Sequence, residues 1–427
     1  MRFQNLNDWL DWQAQLHPSA IELGLDRVAA VWQQLYPHPF PTTVITVAGT
    51  NGKGSCVAML DAIFRAAGYQ VGCYTSPYLL RYNERIRING EEICDDAICQ
   101  AFDRIDQARG ETSLTYFEFG TLAALDIFTA NTLDIVVLEV GLGGRLDAVN
   151  IIDPDVALIA SVDIDHTDWL GDNLEQIALE KAGIMRASKP AVFGGLNPPS
   201  SLLQHAAELN SQLAVAGDDF SFKKVGPDKW AWHSVEQRID DLPFPALMGS
   251  CQLQNAAAVL QVISLLSDRV NINHKAISQG LQNIDLAGRF QVIPGSVELI
   301  LDVAHNPAAA QVLADSLQKR SCQGRTLAVF AMLAGKDVAA VVDILAPYVD
   351  AWFLGVLDGD RGLSANDLQL QINTLDIDIQ TTAASSVEEA YAMALDHATA
   401  GDRVVVFGSF FTVSKLLHGV DRESGKI

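Results

Sequence analysis

Four polar clusters in this 427-residue chain have the residue types and spacing to do chemistry. The first is Gly49-Thr50-Asn51-Gly52-Lys53-Gly54-Ser55, entered from the apolar run Val44–Ala48 and followed by a helical pattern from Cys56 to Ala67. Glycines let successive backbone N–H groups turn toward phosphate oxygens, the helix start adds the positive end of its dipole, and Lys53 supplies a cation. The spacing reads G-x-x-G-K-G-S and departs from the usual G-x-x-x-x-G-K-[ST] by the glycine after the lysine. A strand before, a lysine inside and a helix after favour a nucleotide triphosphate over a plain tight connection.

The other three clusters also close expected strands, where open α/β sheets bind ligands. Tyr74-Thr75-Ser76-Pro77 offers hydroxyls that either ligate a metal or start a turn. In Leu138–Asp147, Glu139 ends an apolar strand, where an unpaired carboxylate is costly. Magnesium, which prefers hard oxygens, is one partner for it and a salt bridge to Arg145 is the other. Gly141-Leu142-Gly143-Gly144 invites a dinucleotide reading, but no third glycine follows at the needed spacing. Asp163-Ile164-Asp165-His166-Thr167-Asp168 reads as a metal-binding loop or a solvated turn. Lys181, in Glu180-Lys181-Ala182-Gly183-Ile184, ends a helix that begins near Asp172, where a lysine ordinarily just complements the dipole. Further on come Gly288-Arg289-Phe290-Gln291 and Leu301-Asp302-Val303-Ala304-His305-Asn306-Pro307. Each of these is weak alone; together they suggest residues that reach across a cleft to a nucleotide.

The elements that must position these groups alternate. Strand candidates at Thr43–Ala48, Val71–Tyr74, Ile135–Val140 and Val156–Val162 are separated by helical patterns such as Ser55–Ala67, Ala97–Arg109 and Phe117–Asn131. That is the pattern of a parallel sheet with crossover helices, and the near-continuous apolar run Ile135–Leu138 indicates cover on both faces. Between about Ala191 and Leu247 the texture becomes irregular and partly antiparallel, before helices at Gln254–Leu266 and His274–Asn283. A second α/β series follows, with strands at Val297–Asp302, Thr326–Phe330, Ala351–Leu354 and Arg403–Phe407. Its helices fall at Ala308–Gln318, Asp337–Ala346, Ser364–Ile372 and Ser386–Thr399. The chain is too long for one ordinary core, and a boundary near Asp285–Gly288 divides it into 1–287 and 288–427.

Composition narrows the function. Hydrophobic residues make up 49% and charged residues 19%, which places the chain among globular proteins. A net charge of −23 disfavours nucleic acid and anionic membranes as partners. It also requires that positive charge be imported locally for an anionic nucleotide. The six cysteines form no CxxC pair and sit mostly in apolar runs, as buried thiols of a reducing compartment do. Residues 1–16 lack the basic start and apolar core of a signal peptide, and no window reaches the roughly 18 apolar residues of a span. A cytoplasmic enzyme is the expectation.

The motifs GTNGKGS, TSPYLLRYNERI, LTYFEFGTLAALDIF, LEVGLGGRLDAVN, DHTDWLG, EKAGI, GRFQ and DVAHNP occur in one order over most of the chain. In this the sequence resembles the bifunctional dihydrofolate synthase/folylpolyglutamate synthase family of the Mur-ligase superfamily, from about Leu23 to Val413. The resemblance implies a P-loop-containing, mostly parallel α/β domain with the pteroate site, followed by a smaller Rossmann-like ligase domain. It implies ATP-dependent joining of L-glutamate to 7,8-dihydropteroate and γ-glutamyl extension of reduced folates. ATP and two Mg2+ ions are the implied cofactors, with K+ as a further ion, in a monomer acting on small molecules.

By the same resemblance Thr50, Asn51, Gly52, Lys53, Gly54 and Ser55 hold the ATP phosphates, Ser55 replacing a threonine common there. Asn255, Arg289 and Asp302 meet the nucleotide. Ser76, Glu139 and His166 ligate magnesium, and Lys181 is carried as an N6-carboxylysine. Glu22, Leu23 and Gly24, Thr115, Tyr116, Phe117 and Glu118, and Leu146, Asp147 and Ala148 form the pteroate site. His305 joins Lys53 and Lys181 among the catalytic candidates. The rivals are a cell-wall ligase of the same superfamily, disfavoured by the pteroate-site match, and a phosphate-loop switch or regulatory ATPase.

Overall fold

The computed structural model describes residues 1–424 apart from 360, 376 and 378, with side chains described as far as Leu417. The chain forms two compact units, and it enters the second one three times. The N-terminal unit takes Met1–Asp163, Leu170–Ala246 and Leu253–Ile284; the C-terminal unit takes Ile164–Trp169, Leu247–Gln252 and the chain from Asp285 onward. A single cut between 287 and 288 therefore misses two short excursions, one of which carries His166. Residues 425–427 of the expected 288–427 domain lie outside the described residues.

The N-terminal unit is built on eight strands: β1 (Thr43–Ala48), β2 (Val71–Tyr74), β3 (Ile86–Ile88), β4 (Glu91–Glu92), β5 (Ile135–Glu139), β6 (Val156–Ile159), β7 (Pro190–Phe193) and β8 (Gln212–Val215). They lie in the order β4-β3-β2-β5-β1-β6-β7-β8. All pairings from β2 to β8 are parallel, and β3 and β4 add an antiparallel edge. Every residue of β2, β5 and β6 is buried, as a sheet covered by helices on both faces requires. The phosphate turn leaves β1 between β5 and β6, at the C-terminal edge where crossover connections diverge.

Strand β6 ends at Ile159, three residues short of the expected Val162. Ala160 N–H still bonds the Ala48 carbonyl of β1, and beyond it Ser161 and Asp163 bond the phosphate turn. Two amphipathic helices, Leu6–Leu16 and Asp26–Leu35, went unanticipated. They bury Trp9 and Trp32, and Trp9 packs against Phe102 and Phe119.

The irregular region resolves into an antiparallel sheet of β9 (Phe220–Lys224), β10 (Lys229–Ser234) and β11 (Arg238–Pro243), with Trp230 and Trp232 fully buried.

The C-terminal unit has a six-stranded sheet of β12 (Gln291–Ile293), β13 (Glu298–Leu301), β14 (Thr326–Phe330), β15 (Ala351–Leu354), β16 (Thr381–Ala383) and β17 (Arg403–Phe407). The order is β12-β13-β17-β14-β15-β16, with only β12 antiparallel. All five residues of β14 and of β17 are buried.

Cys56, Cys73 and Cys99 are buried thiols as expected, whereas Cys94 is exposed and Cys251 and Cys322 are partly so; all six are free. Among the described residues no helix is long and apolar enough to cross a membrane.

Asp402 secures the entry to β17. Its carboxylate accepts the backbone N–H groups of Thr399 (2.9 Å) and Arg325 (2.7 Å) and the Arg325 guanidinium (3.0 Å). These bonds hold its pKa down at about 2. A carboxyl depressed on folding stabilises the native state above its unfolded pKa of about 3.9 and loses that contribution as the pH falls. Asp402→Asn should therefore melt below the parent protein at pH 7, by about 2–4 °C per kcal/mol lost. The gap should narrow as the pH is lowered from 5 toward 3, read by thermal melts across that range.

Candidate nucleotide and ligase site

The phosphate turn is a rigid backbone object. Gly52 sits at φ +86° as the residue before the helix Lys53–Ala66, a conformation that side chains rarely adopt. A Cβ on Gly52 would stand 2.8 Å from Oδ1 of Asn255, so the turn and a residue some two hundred positions away are in close contact. The end of β6 braces the turn from the other side. Thr50 N–H donates to the Ser161 carbonyl (3.0 Å), and Thr50 Oγ1 donates to the Asp163 carbonyl (3.1 Å) while accepting its N–H (3.0 Å). Ser161 Oγ accepts the Asn51 N–H at 3.0 Å and donates to the Asn51 carbonyl at 3.1 Å. Lys53 Nζ folds back on the carbonyls of Gly49 (2.8 Å) and Thr50 (3.3 Å). Gly54 and Ser55 lie in the first turn of the helix, with Ser55 buried.

Ser76 and Glu139 come together because they follow neighbouring parallel strands: Tyr74 of β2 is in register with Leu138 of β5. The Ser76 N–H donates to Glu139 Oε2 at 3.2 Å. Glu139 is only 4% exposed. Arg145, the salt-bridge partner considered for Glu139, pairs with Glu180 (Nη2 to Oε1, 2.8 Å). His166 belongs to the 164–169 segment of the C-terminal unit, at φ +52°. The carboxylate and hydroxyl oxygens of Glu139 and Ser76 are hard donors of the kind Mg2+ or Mn2+ prefers. Among the described residues no three His, Cys, Asp or Glu side chains gather as a cage.

The Gly141–Gly144 run serves packing rather than a dinucleotide. A Cβ on Gly144 would meet the Glu180 carbonyl at 2.9 Å and the Lys181 carbonyl at 3.1 Å. This close approach seats the end of the helix Leu174–Ala182, where Lys181 is 3% exposed. That burial separates Lys181 from a surface lysine that merely meets a helix dipole.

Three segments expected to bind an acceptor converge within the N-terminal unit. Gly24 N–H reaches the Leu146 carbonyl at 3.3 Å. Arg27, which the sequence reading missed, pairs with Glu22 and donates to Glu118 Oε1 at 3.0 Å. Glu118 and Thr115 cap the helix Tyr116–Thr129 reciprocally, Thr115 N–H to Glu118 Oε2 at 2.7 Å and Glu118 N–H to Thr115 Oγ1 at 3.2 Å. Phe117 stacks near Tyr74 at 5.9 Å, and Tyr116 lies 5.8 Å from Tyr82. Leu23 adjoins Gly24, and Ala148 opens the short helix that Asp147 caps. Asp147 is fully enclosed; burial pushes its carboxyl up to about 7, against the N–H bonds of Leu142 and Val149 and the charge of Lys53. Arg27 had only its place four residues after Leu23, at the start of a helical run, and Ser161 only its place just past an apolar strand.

In the C-terminal unit the turn 288–291 and the end of β13 hold one another. Asp302 accepts the N–H groups of Phe290 and Ala304, each at 2.8 Å, and burial raises its carboxyl despite these bonds and Arg289. Arg289 lies 4.9 Å over the Phe410 ring. His305 Nδ1 is 2.9 Å from the Val303 carbonyl and its Nε2 is 3.4 Å from Asp165. Burial alone would raise Asp165; the His305 hydrogen bond and the charges of His166, Lys336 and His305 outweigh it and hold the carboxyl well below its ordinary range.

A phosphate turn on a parallel sheet, with a second α/β unit after it, defines an ATP-dependent ligase. Residues 47–263 match the Mur ligase middle domain and residues 288–410 match the Mur ligase glutamate ligase domain. The dihydrofolate synthase/folylpolyglutamate synthase of Escherichia coli K12 is 42% identical over 98% of this chain and 97% of its own. That of Haemophilus influenzae is 43% identical over 96% of each. Among solved structures, E. coli FolC in complex with DHPP and ADP superimposes with a TM-score of 0.93 at 40% identity, covering 99% of both chains. A bifunctional enzyme from Yersinia pestis complexed with AMPPNP and Mn gives 0.90 at 44%, covering 98% of both. The chain belongs to the dihydrofolate synthase/folylpolyglutamate synthase family.

Gly52→Ala should strain the turn and push on Asn255. ATP affinity, measured by calorimetry, should fall about tenfold or more, the order expected for 1–3 kcal/mol of backbone strain, with the circular dichroism spectrum kept.

Proposed function

We propose that this chain joins L-glutamate to 7,8-dihydropteroate and then extends reduced folates by γ-linked glutamates, using one ATP per bond. The observation that carries the reading is the phosphate turn, braced by Ser161, Asp163 and Asn255 at the C-terminal edge of a buried parallel sheet. Full-length similarity to enzymes of that name supports it.

A carboxylate is a poor acyl donor because its leaving group would be oxide. In the proposed reaction an acceptor carboxylate oxygen attacks the γ-phosphorus of ATP and ADP departs, leaving an acyl phosphate. The glutamate amine attacks the carbonyl carbon, loses a proton, and the tetrahedral intermediate expels inorganic phosphate to leave an amide. Thr50 to Ser55 hold the phosphates, the backbone N–H groups from Gly52 onward donating because Ser161 takes those of Thr50 and Asn51, and Lys53 offsets charge on the transferred group. Asn255, Arg289 and Asp302 bind the rest of the nucleotide. Ser76, Glu139 and His166 would hold magnesium, which supplies Lewis-acid stabilisation of the phosphoryl oxygens. Lys181, as a carbamate, is an anion in place of a cation and helps retain the metal shell. Residues 22–24, 115–118 and 146–148 bind the pteroate, with Arg27 tying the first two segments together, and His305 serves the chemistry from the C-terminal unit. Residues 1–287 carry the ATP and pteroate sites and 288–427 the ligase domain, in a cytoplasmic monomer that acts on small molecules and not on nucleic acid. The reading includes two Mg2+ ions, with K+ as a further ion.

The test is a paired assay with dihydropteroate and with a reduced folate monoglutamate. Phosphate release should require glutamate and a pteroate-type acid in each case, and should fall at least a hundredfold in Arg289→Ala. Turnover only with a UDP-sugar peptide would favour a cell-wall ligase. ATP hydrolysis that needs no acceptor and survives Arg289→Ala would favour a nucleotide switch. For Lys181, enzyme equilibrated with 13C-bicarbonate should give a carbamate carbon resonance that Lys181→Ala lacks. A missing resonance together with full activity of the variant would remove the modification from the scheme.

A further inference from the structure

Asp165 gathers an unusual number of donors on one carboxylate. Oδ1 accepts the backbone N–H of His166 at 2.7 Å and pairs with Lys336 Nζ. Oδ2 accepts Asn306 Nδ2 at 3.0 Å and faces His305 Nε2 at 3.4 Å. The side chains of Asp165 and Lys336 are 6% and 9% exposed, and all these residues lie in the C-terminal unit. The partners are themselves fixed. Asn306 uses its Oδ1 to cap the helix Pro307–Lys319 through Ala309 N–H at 2.9 Å, which sets the direction of its amide. Lys336 follows Gly335, where an added Cβ would lie 3.6 Å from Asp168, so the loop after β14 lies directly against the 164–169 segment.

His166 is the one residue of this segment with a positive φ, +52°. A non-glycine residue keeps that conformation only where its surroundings enforce it. The Asp165 side chain folds onto the amide of the next residue and does so from a pinned carboxylate. We infer that Asp165, anchored by Lys336 and Asn306, is a positioning residue that sets the backbone of His166 and thereby the aim of its imidazole. The inference rests on the reading of His166 as a metal ligand. Lys336 then acts on the metal at one remove, as outer partners of ligands commonly do.

The test measures Mn2+ binding to the enzyme with a non-hydrolysable ATP analogue, by the electron paramagnetic resonance signal of free Mn2+. Lys336→Met and Asp165→Asn should each weaken Mn2+ about 10- to 100-fold, the range for outer-shell partners. Lys336→Arg should restore affinity to within about threefold, and the double variant should be no weaker than Asp165→Asn alone. Lys336→Gln replaces Lys336→Met if the latter does not fold. Unchanged Mn2+ affinity in folded Lys336 and Asp165 variants, with loss in His166→Ala, overturns this inference alone. Tighter binding in Lys336→Met also overturns it, because Asp165 would then be a ligand that the lysine withholds. Unchanged affinity in His166→Ala overturns the ligand reading on which it stands.

Discussion

The constraint on which the N-terminal unit depends is a stretch of backbone, not a side chain. Between β1 and the helix Lys53–Ala66 the chain turns through a left-handed Gly52. Such a turn has few contacts of its own. Its conformation is imposed by a strand that ends early, by the Ser161 hydroxyl that bonds both N–H and C=O of Asn51, and by Asn255 standing where a side chain would be. The order of strands follows from the same need. With β1 between β5 and β6, the carboxyl ends of all three strands deliver Thr50, Glu139 and Ser161 to one edge of the sheet.

Charge is handled locally and in opposition to the whole. The chain carries −23 overall, yet its substrates are anions. Lys53 is tethered to two carbonyls of its own loop, Arg27 lies between two glutamates, and Lys336 is buried against Asp165. Holding a cation to fixed acceptors lowers the entropy lost when a phosphate or carboxylate arrives. The acids too are set by their local partners. Asp147 and Asp302 accept backbone N–H groups and are nevertheless raised by burial, whereas Asp165, with the side chains of His166, His305, Lys336 and Asn306 around it, is lowered.

Much of this architecture was legible in the sequence. The strands 326–330, 351–354 and 403–407 lie where the apolar runs placed them, because fully buried parallel strands leave little choice of residue. The phosphate turn was legible because glycine spacing and one lysine are local chemistry. The two N-terminal helices were not, since their apolar faces are short, and that of the first becomes meaningful only where Trp9 meets Phe102 and Phe119. The glycine run 141–144 lacks the spacing of a dinucleotide turn, and that it is a packing surface instead resides in the helix it touches.

The order of motifs and the alternation of strand and helix thus determined, from sequence alone, the fold class, the family and the phosphate-binding loop. Only tertiary structure decided which residues brace those segments: Ser161 behind Asn51, Arg27 between Glu22 and Glu118, and Lys336 beneath Asp165. The physical reason is range. Backbone conformation and strand burial are written in neighbouring residues, but the partner of a buried charge is chosen by which loops the sheet brings together, and here those loops lie tens to hundreds of positions apart.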